Sequence, residues 1–599
     1  MDRNNIIGLV LIFLIVGASF YLIKPSEAEI KLEQARQDST AAAKDGSVVN
    51  KDTINKLVQL DSAAALAKPF GAAQLAQEEI VTLENSILRI DLTSKGAKVK
   101  NVLLKGETNF DGSALNIIEG ENNKFGFLFK AAGENINTND LVFSVVNKTA
   151  NSATLRLNYK NNQYLEYIYT LTDSHNLALN VNAVGIQKLV DIQQKSLILD
   201  WETTLLQKEQ NINSEREKSS IFFKDSEGDI DHLSETSDDE EKIEGTKLDW
   251  IAFKQHFFSS ILSSKQQFEN TNLVTRLATQ DGVVKTFKAT AELAFNAQAN
   301  NHYEFNYFFG PNKYNTLKAE GKSYDKLINM GWGPIGWINR FLTVPLFDWL
   351  DGYALSYGIV ILILTLLLKG AMFPLTRKSY LSMAKMRVLK PQLDTIKEKV
   401  GDDNPMLLQQ EQMKLYKQAG VNPLGGCLPL LLQMPFTLAF FFFFPNLYEL
   451  RGESFLWMKD LSTYDTFISF SPIMGIGHIS LMCVLMTLVT LLTTWYNNVT
   501  SGATSGMASQ MKYIGYIMPL LFFFMLNSFP SGLNYYYFLG AVFTFLTQFI
   551  IRQSIDDDKI LAKLEENKKN PKVQKKSSFQ AKMEEMMRQQ QAAQHNKNK

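Results

Sequence analysis

Long apolar stretches, nearly free of charge, interrupt this chain between mixed polar segments. A helix needs about 20 apolar residues to cross the hydrocarbon core of a bilayer. Residues 6–23 reach that length between Arg3 and Lys24. A cleaved signal peptide, cut near Ser26-Glu27-Ala28, is the rival reading; the length of the run favours an uncleaved anchor. The stretches 352–376, 427–448 and 473–495 predict three further spans, and their one charge is Lys369. Residues 513–551 carry no charge. As one helix they would be about 58 Å long, nearly twice the core thickness. Pro530-Ser531-Gly532 near the middle favours a turn, so the stretch predicts two spans, 513–529 and 533–551.

The segment between the first two spans has another period. From about residue 79 to 310 apolar and polar positions alternate, as in Leu88-Arg89-Ile90-Asp91-Leu92 and Tyr164-Leu165-Glu166-Tyr167-Ile168-Tyr169. Ser94-Lys95-Gly96 and Asp111-Gly112-Ser113 supply turns, and many short strands predict a large β-sandwich. Residues 25–75, rich in Ala, Ser, Lys, Glu and Gln, read as a linker. Across 319–351, Trp332, Trp337, Phe341, Leu342, Leu346, Phe347 and Trp349 make a dense apolar face. An amphipathic helix lying on the outer membrane surface and a helix packed on the sandwich both fit.

Charge orients the spans. The loop 375–426 carries nine Lys/Arg and the tail 553–599 carries eleven, against two in the loop 449–472. The positive-inside rule then places both termini and the loop 375–426 in the cytoplasm, and residues 25–351 outside. Over the whole chain 61 basic residues balance 61 acidic ones, which argues against a nucleic-acid binder carried by bulk basicity. Two Cys leave no disulfide framework, and the six His show no paired metal spacing. The acidic run Asp238–Glu241, with Asp225, Glu227, Asp229 and Asp231, lacks the Gly of an EF-hand loop and reads as solvated. Within the loop, residues 377–419 predict a helical hairpin broken at Gly401-Asp402-Asp403-Asn404-Pro405. Its Met383, Met386 and Arg387 suit contact with varied partners, and packing between the two helices fits equally.

Several motifs are more specific. They are Lys369-Gly370, Pro374-Leu375-Thr376, Ser382-Met383-Ala384-Lys385-Met386-Arg387, and VNPLGGCLPLLLQMP from Val421 to Pro435. Phe529-Pro530-Ser531-Gly532-Leu533 and Tyr536-Tyr537 follow. Residues 320–552 closely resemble the YidC/Oxa/Albino family of membrane-protein insertases. The outer segment, through Trp250-Ile251-Ala252 and Phe309-Gly310-Pro311-Asn312-Lys313-Tyr314, is similar to the extra periplasmic sandwich of its Gram-negative members.

The resemblance implies a polytopic α-helical protein of the bacterial inner membrane, with six spans, a five-helix insertase core at 352–552 and a large all-β periplasmic sandwich at 76–318. It implies insertion and folding of nascent membrane proteins, alone or with the Sec translocon, without cofactor, metal or bond-making catalysis. Ribosome and membrane lipid are the other implied partners, the ribosome through the basic tail. The family holds a positively charged hydrophilic groove, and its usual groove Arg is Lys369 here. Residue chemistry agrees: Lys369 is the one ionisable group deep in a span, with Thr365 a turn before it. Gln433, Asn527, Ser528, Asn534 and Gln548 add polar groups, and Gln433 and Tyr537 are expected near Lys369. An anion transporter or channel using Lys369 is the alternative, opposed by the lack of a repeat and by the single charge. An anchored sugar-modifying enzyme would need convergent acids and His outside, which the sequence lacks.

Overall fold

The computed structural model describes residues 69–131, 133–160, 162–191, 193–401, 405–421, 428–473, 476–501 and 507–569. The predicted first span, most of the linker and the tail beyond residue 569 lie outside the described residues. Residues 1–75 form a separate unit, in which the short helix α1 (Gly71–Leu75) is described.

The alternating segment folds as strands. Residues 80–118 make a four-stranded antiparallel sheet, and the strands that follow build a fourteen-stranded one. Strand Asn176–Val184 alternates half-buried and buried positions along its whole length, the period of a sheet with one face in a core. Strand Phe258–Leu277 turns the large sheet on itself. Its first part pairs with Asn301–Pro311 and its second with Val283–Ala294. The bend falls where Gln267 and Asn270 adopt positive φ of 62° and 42°. Between the layers, Trp201 stacks on Phe253 at 3.7 Å. The buried Tyr169 hydroxyl donates to the Ala97 carbonyl at 2.7 Å, tying the small sheet to the large one. The acidic cluster is turn chemistry: Asp225 Oδ1 accepts the backbone N–H of Glu227, Gly228 and Asp229.

Helix α2 (Ile212–Glu217) interrupts the strands and α3 (Tyr314–Ala319) follows them. The aromatic segment is then two helices, α4 (Gly333–Ile338) and α5 (Val344–Asp351), joined by a π-helical turn at Asn339–Thr343. Ile335, Ile338, Val344, Phe347 and Leu350 are buried, while Trp332, Trp337, Phe341 and Trp349 are exposed.

Helix α6 (Tyr357–Val388) is one 32-residue element. The boundary expected at residue 376 is absent: the helix continues through Pro374, and arginine and lysine end a membrane span, not a helix. Helices α7 (Lys390–Val400) and α8 (Pro405–Ala419) pack together. The apolar helices α9 (Leu428–Phe443), α10 (Leu481–Ser501), α11 (Met507–Leu526) and α12 (Ser531–Gln553) follow. Among the described residues two helices, Tyr357–Val388 and Leu481–Val499, are long and apolar enough to cross a membrane. A third is reached by counting α12 with α13 (Asp557–Lys569), bent by 72° from it.

Two expectations change. The span placed at 473–495 begins at Leu481, because Ile468–Ile473 and Ile476–Ile479 pair as antiparallel strands. Freedom from charge marked this run, but its β-branched residues suit a hairpin better than a helix. The first part of the tail, read from its charge as a ribosome-facing segment, packs on the chain itself: Leu564 of α13 is 1% exposed, against Leu389, Ala419 and Val421. Arg387 Nη2 holds Asp557 at 2.5 Å, and Lys568 bonds Gln392.

Candidate functional site

Lys369 projects from α6 onto α12. Its Nζ donates to Thr544 Oγ1 at 2.9 Å. A Cβ on Gly540, one turn earlier, would stand 3.7 Å from Lys369 Cε, ordinary contact distance, so the lysine stem packs directly over this position of the helix. Thr544 in turn donates to the Gly540 carbonyl at 2.6 Å. Among the described residues no carboxylate pairs with Lys369. One turn on, Pro374 has no N–H, so the carbonyl of Gly370 loses its helical donor.

The other expected groove residues divide. Tyr537 donates from α12 to the Thr437 carbonyl of α9 at 3.2 Å, and the Thr437 hydroxyl donates to the Gln433 carbonyl, also at 3.2 Å. Tyr537 therefore ties α12 to α9 about two turns along α12 from Thr544, and Gln433 is linked to that contact through its backbone carbonyl. Thr365 is buried and donates to the Ile361 carbonyl of its own helix at 2.7 Å. Asn527 and Asn534 are buried connectors, bonded to His478 and Ser480 and to the Leu526 carbonyl. Gly540, Thr544, Gln548 and Arg552 recur every four residues on α12, a polar stripe whose spacing is legible in the sequence although Thr544 and Gly540 were not singled out there.

That stripe runs into a small cavity of about 40 Å³ between α6, α10 and α12. Met383 and Arg387 of α6 line it with Gln548 and Arg552. The Oε1 of Gln548 is buried there without a hydrogen-bond partner. Met386 instead packs on the Leu389–Leu564 cluster, so its thioether serves the hairpin's own base.

At the opposite end the apolar helices lock to the sandwich. Asp465 accepts from Met482 N at 3.0 Å, Ser480 Oγ at 2.5 Å and Trp457 Nε1 at 2.9 Å, holding an anion at the start of α10. Arg451, just after α9, meets Glu209 at 2.7 Å and Glu107 at 3.1 Å, and donates to the Thr108 carbonyl at 2.7 Å. Burial pushes the Glu215 carboxyl above the usual carboxylate range and pulls the Lys218 amine down to about 8. His256 Nε2 bonds the Pro445 carbonyl at 2.7 Å. Burial, then Lys218 nearby, holds that imidazole well below the ordinary histidine range, so it is neutral and Nε2 carries the proton. A depressed folded pKa gives stability that is present above the unfolded value and lost on acidification. Relative to His256→Gln, the native chain is therefore expected to lose thermal stability as pH falls below 6.5. Parallel melting curves for the two chains between pH 7 and 5 would show that the ring does not titrate this way.

Comparison with known proteins fits both halves. The family described as 60Kd inner membrane protein matches residues 349–559, and the YidC periplasmic domain matches residues 80–349. The membrane protein insertase YidC of Bacteroides fragilis is 39% identical over 608 residues, covering 98% of each chain. The chain belongs to the YidC family of membrane protein insertases. YidC of Parabacteroides distasonis is 35% identical over 623 residues, covering 99% of this chain and 98% of that one. A solved structure of an active YidC insertase with its first transmembrane domain resolved aligns with 82% of this chain and 98% of that chain, at 19% identity and a TM-score of 0.32. Within the YidC frame, the β-sandwich is the periplasmic domain, and Lys369, Tyr537 and the α12 stripe all fall in the other family segment.

Proposed function

We propose that this chain inserts and folds nascent membrane proteins in the bacterial inner membrane, through a hydrophilic groove whose charge is Lys369. The observation that carries the reading is the ammonium held by the Thr544 hydroxyl, with no carboxylate partner among the described residues, on a helix otherwise free of charge from Tyr357 to Thr376. An unpaired cation at such depth costs about 2.5–3.5 kcal/mol on insertion scales, so it is kept for a use. It attracts acidic residues of the client's polar segment, while the client's apolar span slides out into lipid. The groove is lined by Lys369, Thr544 and Tyr537, with Gln433 beside the α9–α12 contact. Arg387, Met383 and Arg552 form its cytoplasmic mouth.

In this reading six spans cross the membrane, both termini are cytoplasmic, and residues 25–351 are periplasmic. The segment 319–351 lies on the outer membrane surface, its exposed tryptophans in the interface. Helices α7 and α8 meet cytoplasmic partners, the Sec translocon assists with larger clients, and the basic end of the tail meets the ribosome. A photoreactive residue at position 544 is expected to capture a ribosome-held nascent span. Capture from the lipid-exposed position 550 but not from 544 would remove the groove from the pathway.

A further inference from the structure

A second, open cleft of about 410 Å³ lies between the β-hairpin around Phe222–His232 and the segment 326–340. One wall carries Lys326 and Arg340, the other Asp229 and Glu235, whose carboxylate also stands 3.7 Å from the Lys254 ammonium. Neither basic side chain forms a hydrogen bond or ion pair among the described residues, and the Nε–H of Arg340 is buried with nothing to accept it. That N–H is closed off by the protein itself, so the guanidinium meets the cleft through its remaining donors, which the chain leaves free for an acceptor from outside.

The cleft is also rigidly built. Arg340 sits on the π-helical turn Asn339–Thr343. Asn339 pins that turn by donating to the carbonyls of Met330 at 2.9 Å and Ala439 at 2.7 Å. Gly331 on the cleft wall has φ +86°, and a Cβ on Gly336 would come within 2.3 Å of its carbonyl oxygen. Beside the cleft, Trp332, Trp337 and Phe341 are 70%, 61% and 66% exposed, a patch that water alone would not cover favourably.

We propose that this cleft seats the phosphoethanolamine headgroup of an outer-leaflet phospholipid, its phosphate on Arg340 and Lys326 and its ammonium facing Asp229 and Glu235. Arginine's planar fork matches a phosphate, and basic pockets beside interfacial helices take lipid headgroups. The acidic wall selects a zwitterionic headgroup over a purely anionic one. Acyl chains would then lie along Trp337 and Phe341. The inference rests on the reading that 319–351 lies on the outer membrane surface.

The test uses the full chain in nanodiscs of phosphatidylcholine doped with phosphatidylethanolamine or phosphatidylglycerol, with retained lipid counted by native mass spectrometry. The native chain is expected to keep one phosphatidylethanolamine in preference to phosphatidylglycerol. Arg340→Gln should lower retention on the order of tenfold, equivalent to about 1.4 kcal/mol. Lys326→Gln, at an exposed position that leaves the fold alone, should weaken it too, and Asp229→Asn should erase the preference over phosphatidylglycerol. Equal retention by native and Lys326→Gln chains, no headgroup preference, or displacement of the lipid by soluble phosphoethanolamine would each overturn the proposal. Quenching of Trp332 and Trp337 by brominated lipid separates the two readings. Quenching without retention sinks the headgroup site alone, whereas no quenching sinks the interfacial placement and the site with it.

Discussion

Replacing Lys369 by Glu is expected to abolish insertion of a client whose outside segment is acidic, at matched protein levels. Two unit charges about 4 Å apart attract by about 1–4 kcal/mol between bulk water and the effective dielectric near a protein surface. Lys369→Ala should therefore slow such a client by roughly five-fold to just under a thousand-fold, and Lys369→Glu should turn attraction into repulsion. Lys369→Arg should keep activity, since the groove uses the charge and Thr544 offers a single oxygen that either side chain can reach. Clients with uncharged outside segments should be affected least. The competing account is that the lysine only snorkels toward the headgroups. Equal insertion of an acidic client by the native and Lys369→Glu chains would favour snorkelling.

Arg451→Ala should loosen the junction between the sandwich and the apolar helices. The Arg451 side chain is 8% exposed and that of Glu209 10%, and the guanidinium also lies 4.9 Å over the Phe258 ring. Removing one partner of a buried pair leaves the other charge uncompensated, at a cost of about 3–5 kcal/mol. Amide hydrogen exchange across residues 206–217 and 444–460 should rise by about 100-fold or more. Adding Glu209→Gln to Arg451→Ala should recover part of the loss, because the orphaned carboxylate is then gone. Unchanged exchange in the single variant would show that the junction is held elsewhere, for example through His256 and the Pro445 carbonyl.

The sequence made some of this legible and hid the rest for physical reasons. Pro530-Ser531-Gly532 stood out as a break, and α11 ends at Leu526 while α12 begins at Ser531. The alternation in 176–184 exposed its strand, because a half-buried sheet writes its period into the residues. Lys369 was visible as a charge in an apolar run. Its seat on Gly540 and Thr544 was not, since helix pairing is decided by residues 171 and 175 positions away. The same holds for Arg451, whose carboxylate partners stand 242 and 344 positions earlier in the chain. Hydropathy alone also misread 473–480, where apolar residues pair as strands. The tail's charge hid its packing, yet Ile560 and Leu564, one turn apart, give it a face that docks on Leu389 and Val421.

The most direct measurement takes the purified chain alone in proteoliposomes. A small single-span protein with a short acidic outside segment is added during translation, and a small anion is loaded to report leakage. The account predicts protease protection of the client's outside segment, without nucleotide, with the anion retained, and loss of that protection in Lys369→Glu liposomes. Anion flux through the native chain with no protected client would contradict it and make Lys369 the binding site of a transporter.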